Sequence, residues 1–382
     1  MTNPSVTYTG GRIFDGEHVH DATAARFCDG VFEGLYPDTA ISPDDTVVEL
    51  AGDILTPGYV DLQVNGGGGV MFNDNPSVET LTQIAQAHRS LGSSAILPTL
   101  ITDRPDKTTA AIEAVRMALQ KKTAGIAGLH LEGPHLSIAR KGAHDAALIR
   151  PMTDADLRQL LEAKADIPVL KITIAPESVT ADQVRQLAEE GILVSLGHSD
   201  ADFDTCCAYA DAGASIVTHL FNAMSQLGNR APGLVGAALD VGRLSAGLIA
   251  DGIHVHPAML RTAWASKRGP GEIFLVTDAM AVAGTKDTHF FLDGRRIARQ
   301  DGKLTLEDGT LAGADLDLTK AVRMMADEVG IDLAEALRAA TTIPARLIGL
   351  HGGLVPGQTR LSDMNRLSST LSSVRPLGTD TA

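Results

Sequence analysis

Cysteine is scarce in this sequence, and long apolar runs and a secretion signal are absent. The 382 residues include only Cys28, Cys206 and Cys207. Three cysteines, two of them adjacent in sequence, cannot form a disulfide framework for a chain of this length. This use of cysteine favours a reducing compartment. No stretch reaches the roughly 18 apolar residues of a membrane-spanning helix, and residues 1–11 lack the basic and apolar segments of a signal peptide. We therefore expect a cytoplasmic protein without a membrane partner.

Basic residues are fewer than acidic ones: the sequence has 32 Lys and Arg and 47 Asp and Glu, which gives a formal net charge of −15. A surface of this sign repels a phosphate backbone, and no basic stripe interrupts it, so we expect no nucleic-acid partner. The run Gly66–Gly69 is not followed by the Lys-Ser/Thr pair of a phosphate-binding loop, and we interpret it as a close backbone approach to a site. An anionic ligand would need a local positive site.

The composition, 44% hydrophobic and 21% charged, is that of a globular protein. From Ile54 onward, apolar runs of strand length alternate with segments of helical period. This alternation predicts parallel strands joined by helices, and eight runs favour a (β/α)8 barrel within the α/β class, with an open doubly wound sheet as the alternative. The predicted strands are 54–64, 95–101, 126–131, 169–175, 192–196, 215–219, 246–249 and 273–276.

Helical periods and caps such as Ser77, Thr153, Thr180 and Asp200 predict helices at 78–91, 107–121, 154–163, 181–190, 201–212, 257–267, 318–329 and 333–341. The first fifty or so residues predict short strands of a small β domain. Residues 290–311 predict hairpins with Asp-Gly turns at 293-294, 301-302 and 308-309. The polar tail from Ser362 shows no period, and we expect no regular structure there.

Polar side chains follow several of the predicted strands, at the barrel end where active sites lie. Glu132, His198, His219 and Asp278 follow the third, fifth, sixth and eighth runs. A single strand-end histidine is more often structural, but one Glu and two His from three strands form a set that Zn2+ accepts, with Asp278 nearby as a base. We interpret His130, two residues before Glu132, as a hydrogen-bonded partner or a core histidine.

At these residues the sequence resembles the amidohydrolase superfamily and, within it, the N-acetylglucosamine-6-phosphate deacetylases. The matching segments run in family order from about residue 50 to 350. They are 57–66 (PGYVDLQVNG), 129–135 (LHLEGPH), 141–144 (KGAH), 196–199 (LGHS), 218–224 (THLFNAM), 251–254 (DGIH) and 276–280 (VTDAM).

The resemblance implies a metal-dependent hydrolase barrel over residues 56–349, a small β-sandwich domain built from 1–55 and 350–382, and a homodimer. It implies deacetylation of N-acetylglucosamine 6-phosphate to glucosamine 6-phosphate and acetate. The implied metal ligands are Glu132, His198 and His219, and the implied catalytic residues are Asp278 and His144. The implied substrate-binding residues are Gln63, Asn65, Ala143, His144, Asn222, Ala223, Arg230, Asp251, His254, Leu311, Ala312 and Gly313.

Two of these residues carry further expectations. Arg230, in the loop after the sixth strand, either clamps a phosphate or is a solvated surface arginine. His254 or Arg230 is expected to reach the partner's site across the dimer interface.

The sequence departs from the family at two places. Many members carry His-x-His at the end of the first strand, where this chain has Gln63-Val64-Asn65. Amides are poor ligands for Zn2+, so we predict one divalent ion per subunit, with Zn2+ ahead of other metals. Residues 361–365 differ from the family's apolar closing strand, which leaves the completion of the β domain unpredicted.

Two other function classes remain as alternatives. One is a different amidohydrolase activity, such as a dihydroorotase-like or N-acyl-amino-acid deacylase reaction, and the other is a non-catalytic metal-binding scaffold. The candidate phosphate residues Asn222, Arg230 and His254 favour a sugar phosphate over a neutral ring. A complete ligand set with an acid/base residue favours an enzyme.

Overall fold

The computed structural model describes residues 5–292 and 294–378. The outermost residues of the predicted β domain, 1–4 and 379–382, lie outside this range, as does Asp293 of the predicted turn at 293-294. None of the helices in the described part of the chain has both the length and the apolar composition that a membrane crossing requires.

Strands occur in four groups along the chain. The N-terminal group is β1 (Ser5–Thr9), β2 (Arg12–Phe14), β3 (Val19–His20), β4 (Thr23–Cys28), β5 (Val31–Pro37), β6 (Thr46–Glu49) and β7 (Ile54–Pro57). The second group is β8 (Tyr59–Val64), the short ribbon β9 (Gly66–Gly67) and β10 (Val70–Met71), β11 (Ser93–Ile101), β12 (Leu129–Glu132), β13 (Leu170–Ile174), β14 (Leu193–Leu196), β15 (Ile216–Val217), β16 (Ser245–Leu248) and β17 (Ile273–Leu275). The last two groups are β18 (His289–Leu292), β19 (Arg295–Gln300), β20 (Lys303–Thr305) and β21 (Leu311–Ala314), then β22 (Met364–Leu367) and β23 (Val374–Pro376).

The second group forms the predicted barrel. β8 and β11 to β17 pair in parallel in chain order. The last strand returns to the first, because the Asp278 N–H donates to the Gln63 carbonyl at 3.1 Å and Val64 bridges Ala279 in parallel. Parallel barrel strands are buried on both faces, which is why each one was visible in the sequence as a short apolar run. The barrel prediction is confirmed.

Helices pack outside the strands: α1 (Val78–Ser90), α2 (Pro105–Gln120), α3 (Asp154–Asp166), α4 (Ala181–Glu189), α5 (Phe203–Asp211), α6 (Gly233–Asp240), α7 (Pro257–Ser266), α8 (Leu318–Arg323), α9 (Leu333–Ala340) and α10 (Thr342–Leu347). Ser77, Thr153 and Thr180 cap their helices as predicted, but Asp202 rather than Asp200 caps α5. The predicted helix at 318–329 changes at Met324 from α to π geometry.

The sequence pattern missed helix α6. Seven of its eight residues, from Gly233 to Leu239, are buried. A helix that is apolar on all sides has no amphipathic period, and its two glycines lower helix propensity further.

A β-sandwich stands beside the barrel. One sheet has the order β5-β4-β1-β6 and the other β23-β22-β7-β2-β3. Side chains from both sheets share one core, among them Phe27 and Phe32 from the first and Ile13, Leu55 and Met364 from the second. The expectation of an irregular tail is wrong at Met364–Leu367 and Val374–Pro376. Met364–Leu367 pairs antiparallel with Ile54–Pro57 and with Val374–Pro376, and these two strands complete the second sheet. The exact division of the chain at 55/56 and 349/350 stays a prediction.

Candidate metal centre and active site

Three buried side chains converge at the C-terminal ends of the barrel strands. Glu132 ends β12, His198 follows β14, and His219 follows β15. The Glu132 Oε1 atom lies 3.2 Å from His198 Nε2 and 3.0 Å from His219 Nε2, and the two Nε2 atoms are 3.0 Å apart. Burial alone would raise the pKa of Glu132, but the two histidines outweigh it and hold that pKa well below its ordinary value. The strands therefore bring an ionised carboxylate and two imidazoles to one point.

The hydrogen bonding of the two imidazoles fits a metal ion. His198 Nδ1 lies 2.9 Å from the Arg140 carbonyl oxygen, which can only accept, so the proton is on Nδ1 and the Nε2 lone pair faces the cluster. His219 Nδ1 is buried and has no hydrogen-bond partner among the described residues. The Nε2 atoms of both rings and the Glu132 carboxylate thus lie within 4.8 Å of one another, and a Glu-His-His set suits a divalent metal.

Asp278 lies beside this cluster at the end of β17. Its Oδ1 atom accepts hydrogen bonds from Asn65 Nδ2 at 2.7 Å and Gln63 Nε2 at 3.1 Å. Gln63 Nε2 also donates to both oxygens of Glu132, at 3.2 and 3.1 Å. Burial, reinforced by the negative charge of Glu132, raises the pKa of Asp278. The Gln63 amide thus connects Glu132 to a carboxylate with increased proton affinity, and the Asn65 amide contacts that carboxylate alone.

Three of these residues share a left-handed backbone. The φ angles of His198, His219 and Asp278 are +46°, +30° and +52°. Non-glycine residues rarely adopt this region, and its cost is tolerated mainly at functional sites.

His144 lies on the loop after β12 and contacts the end of β11. Its Nδ1 atom lies 2.8 Å from Thr102 Oγ1 and 3.4 Å from the Thr102 backbone nitrogen, which donates to it. The His144 and His198 ring centroids are 4.4 Å apart. Burial, reinforced by His198, lowers the pKa of His144 to about 3. His144 is therefore a neutral imidazole at pH 7.

A cavity of about 260 Å3 opens above the cluster of Glu132, His198 and His219 and is lined by the barrel and by the β18–β21 sheet. Many of the predicted site residues line it, namely Asn65, Glu132, Ala143, His144, His198, His219, Asn222, Ala223, His254, Asp278, Leu311 and Gly313. Four predicted residues are not part of this lining. Gln63 is buried beneath the cavity, Ala312 is buried in β21, Asp251 contacts His254, and Arg230 is exposed on the loop before α6.

Asp251 and His254 form a pair at the end of β16. Asp251 Oδ2 lies 2.6 Å from His254 Nδ1, and Asp251 Oδ1 accepts the backbone N–H groups of Ile253 and His254 at 2.8 Å each. Burial would raise the pKa of Asp251, but the contact with His254 outweighs it and lowers that pKa. The carboxylate therefore fixes the imidazole at the edge of the cavity.

Below the cluster, the barrel interior contains a layer of hydroxyl groups. His130 contacts Thr99 Oγ1 at 3.1 Å through Nδ1 and Thr173 Oγ1 at 2.7 Å through Nε2. Thr218, which precedes His219, contacts both Thr173 and Ser195. Both nitrogens of His130 are thus occupied by protein, as expected for a partner or core histidine rather than a ligand.

A family model of the amidohydrolase family matches residues 54–358. An N-acetylgalactosamine-6-phosphate deacetylase of Shewanella sp. (strain ANA-3) is 42% identical over 342 residues, which are 89% of this chain and 86% of that protein. An N-acetylglucosamine-6-phosphate deacetylase of Haemophilus influenzae is 36% identical over 328 residues, which are 85% and 84% of the two chains. The chain belongs to the amidohydrolase family.

A solved structure agrees with this assignment. The crystal structure of N-acetylglucosamine-6-phosphate deacetylase from Pasteurella multocida has a TM-score of 0.90 and 34% identity, and the match covers 97% of each chain. The resemblance to deacetylases of this family, and the prediction of a hydrolase, are confirmed.

Sequence reasoning missed several residues around the site of this amidohydrolase. Thr102 contacts His144, and the carbonyl of Arg140 fixes the tautomer of His198. The apolar part of the lining includes Ile101, Ile249, Met280 and Leu292. Apolar residues at strand ends carry no signal in a single sequence, and a backbone carbonyl carries none at all.

Proposed function

We propose that this amidohydrolase removes the acetyl group of N-acetylglucosamine 6-phosphate and releases glucosamine 6-phosphate and acetate, as a step in amino-sugar catabolism and cell-wall sugar recycling. The supporting observation is that Glu132, His198 and His219 meet Asp278 and His144 in one cavity. The chain that carries this arrangement is 36–42% identical, over most of its length, to deacetylases of amino-sugar phosphates. The cytoplasm is the proposed compartment, in keeping with three free cysteines.

Glu132, His198 and His219 would hold one divalent metal per subunit, with Zn2+ as the proposed ion. A divalent metal supplies Lewis acidity, which lowers the pKa of water from 15.7 toward about 7 and polarises a carbonyl oxygen. Gln63 and Asn65 would not complete a second metal site, because their amide groups already donate to carboxylates.

Asp278 performs the proton transfers in this proposal. Oδ1 is occupied by the two amides, and no described residue hydrogen-bonds to Oδ2, which accepts the proton of the attacking water. The water oxygen bonds to the acetyl carbon, the C–N bond breaks, and the protonated Asp278 returns the proton to the departing nitrogen. A carboxylate with raised pKa suits both the acceptance and the return.

His144 stabilises the carbonyl oxygen as that oxygen gains negative charge. Its neutral ring carries a proton on Nε2, the nitrogen opposite Thr102, and donates it in a hydrogen bond. Removing one such donor costs about 2.7–4 kcal/mol of transition-state stabilisation in comparable sites.

His254, Asn222 and Ala223 would contact the sugar phosphate at the edge of the cavity. Arg230 faces solvent in the single chain. We propose that the protein is a homodimer in which Arg230 or His254 completes the partner's phosphate site.

N-acetylgalactosamine 6-phosphate is a second candidate substrate. The relative from Shewanella, at 42% identity, is named for that sugar phosphate. The two sugars differ only in configuration at C4, and both carry the same acetamide group for the proposed metal site.

The test is acetate release by the metal-replete protein from both sugar phosphates, with unphosphorylated N-acetylglucosamine as the control substrate and Asp278→Asn as the control variant. We expect a higher kcat/KM for one or both phosphates than for the free sugar, and almost no turnover by a variant that keeps its metal. Absence of acetate release from either phosphate would refute the proposal. Elemental analysis of the same sample identifies the ion.

Arg230 is tested by mixing inactive subunits. Separate Asp278→Asn and Arg230→Ala proteins have low activity at limiting substrate, but a hybrid dimer would contain one intact site if Arg230 acts on the partner. Recovery of activity after subunit exchange supports this arrangement, whereas the plain average of the two activities contradicts it.

A further inference from the structure

The tautomer of His144 is determined by its contact with Thr102, the first residue after β11. Thr102 is 4% exposed and His144 is 5% exposed, so no solvent competes for this contact. The Thr102 backbone N–H donates to His144 Nδ1 at 3.4 Å. A nitrogen that accepts from an N–H group cannot carry a proton itself, and an imidazole ring keeps at least one N–H group, so the proton is on Nε2.

The hydroxyl group of Thr102 makes the shorter of the two contacts. Oγ1 lies 2.8 Å from Nδ1, and the one other acceptor near it is the Glu132 backbone carbonyl at 3.5 Å. The hydroxyl therefore donates best to Nδ1, in the same sense as the backbone N–H. Both groups of Thr102 disfavour a proton on Nδ1.

The opposite nitrogen is left for the substrate. His144 lines the cavity, and no residue in 5–292 or 294–378 forms a hydrogen bond with its Nε2 atom. With the proton on Nε2, the ring can donate to a carbonyl oxygen. With the proton on Nδ1, Nε2 would present a lone pair to that oxygen and repel it.

We propose that Thr102 is a positioning residue that holds His144 in the Nε2-protonated tautomer required to donate to the substrate carbonyl. This proposal rests on the deacetylase function proposed above. A catalytic histidine in the wrong tautomer loses about 10^4-fold in rate in serine proteases, where a carboxylate performs the same orienting role. Loss of a single orienting partner in metal sites costs about 10- to 100-fold.

The experiment compares kcat, KM and metal content for Thr102→Val, Thr102→Ser and His144→Ala, and for the double variant Thr102→Val/His144→Ala. Valine keeps the shape of threonine and removes only the hydroxyl. We expect kcat to fall about 10- to 100-fold in Thr102→Val with little change in KM or metal content, and to stay near wild type in Thr102→Ser. In the His144→Ala background the valine substitution should lower kcat by less than two-fold, because the imidazole that Thr102 contacts is already absent.

Two results would overturn the proposal. One is wild-type kcat in Thr102→Val, and the other is an equal fold-loss from that substitution with and without His144. A wild-type enzyme that releases no acetate would instead refute the proposed function, so the two failures are distinguishable.

A spectroscopic measurement covers the case in which the valine variant folds poorly. Two-bond 1H–15N correlation spectra of histidine-labelled, metal-replete enzyme distinguish a protonated imidazole nitrogen from an unprotonated one, and His144→Asn identifies the signal. We expect protonation at Nε2 in wild type and in Thr102→Ser. Protonation at Nδ1 in the wild-type enzyme would contradict the assignment directly.

Discussion

Asn65 Nδ2 lies 2.7 Å from Asp278 Oδ1, and this contact joins the end of the first barrel strand to the end of the last. The amide occupies the position that a metal-binding histidine has in many amidohydrolases. Here it donates a hydrogen bond to the carboxylate that we assign as the acid and base. The residue that departs from the superfamily motif thus acts on the proton affinity of Asp278.

Replacing Asn65 with Ala should move the acid limb of the pH–rate profile. Asn65 stabilises the ionised form of Asp278, whose pKa burial and Glu132 raise. Without the amide that pKa rises further, so the active ionised form is lost at a higher pH. A hydrogen bond of about 1 kcal/mol corresponds to a shift of about 0.7 pH unit in log kcat/KM against pH. The matched control is Asn75→Ala, at an exposed asparagine. An identical acid limb in the two variants would show that Asn65 does not stabilise the ionised form of Asp278.

Glu132→Gln should lose metal as well as activity. The substitution keeps the shape but replaces an anionic oxygen ligand with an amide, which binds divalent metals poorly. A ligand that binds only the folded state raises the melting temperature, so a chelator should lower the Tm of the wild type and leave that of Glu132→Gln unchanged. The exposed Glu162→Ala serves as the control and should respond like wild type. Full metal content in Glu132→Gln would remove this residue from the ligand set.

Asp156→Asn should lower stability at neutral pH, and this loss should become smaller as the pH falls below about 4. Burial would raise the pKa of Asp156, but hydrogen bonds from Arg150 and Thr153 outweigh it and lower that pKa. A carboxyl group with a lowered folded-state pKa contributes stability above its unfolded pKa of about 3.9, and loses it as the pH falls toward the folded value. At pH 7 we expect the free energy of unfolding to fall by about 1–2 kcal/mol, since capping and charged hydrogen bonds are both lost.

The control for Asp156 is Asp182→Asn, which removes an exposed i,i+3 pair with Arg185. Exposed pairs of this kind contribute about 0–1 kcal/mol. Urea unfolding at pH 7 and pH 3 measures both variants. Equal losses for the two at pH 7, or a loss for Asp156→Asn that is as large at pH 3 as at pH 7, would contradict the prediction.

Gly313→Ala should impair both stability and activity, whereas Gly309→Ala should affect stability alone. Both glycines have left-handed φ angles, +69° and +86°. A Cβ atom at Gly309 would meet nothing within 4 Å, but at Gly313 it would lie 2.4 Å from Met280 Cγ and 2.8 Å from the Asp278 carbonyl oxygen. Each variant incurs the backbone cost of about 1–2 kcal/mol, and only Gly313→Ala also displaces the chain next to Asp278. Equal kcat values for the two variants would show that this close approach is unimportant.

Met364→Ala should destabilise the sandwich by about 2–5 kcal/mol, the range for removing a large buried side chain. Met364 is fully buried between the two sheets, and its strand pairs with Ile54–Pro57. Met117→Ala, at a methionine 37% exposed on α2, should change the free energy of unfolding by less than about 0.5 kcal/mol. Thermal or urea unfolding that is the same for both variants would show that the C-terminal strand does not secure the domain.

The sequence predicted the barrel because each of its buried strands is a short apolar run, and it located Glu132, His198, His219 and Asp278 because each follows such a run. It missed α6 because a helix buried on all sides has no amphipathic period. It missed the strand Met364–Leu367 because Asn365 and Arg366 look like loop residues; Asn365 instead donates to the Gly92 carbonyl and Arg366 contacts Asp53. Contacts between segments far apart in the chain, such as Thr102 with His144, are invisible to any local pattern.

The left-handed backbone at His198, His219 and Asp278 lowers the stability of the fold at three positions whose side chains are proposed to serve the reaction. Glycine would relax the backbone at each, and asparagine tolerates this region better than most residues. Neither replacement retains the chemistry that the site requires. Selection for thermal resistance in the absence of metal would therefore favour glycine or asparagine at these positions and yield stable proteins that no longer turn over substrate.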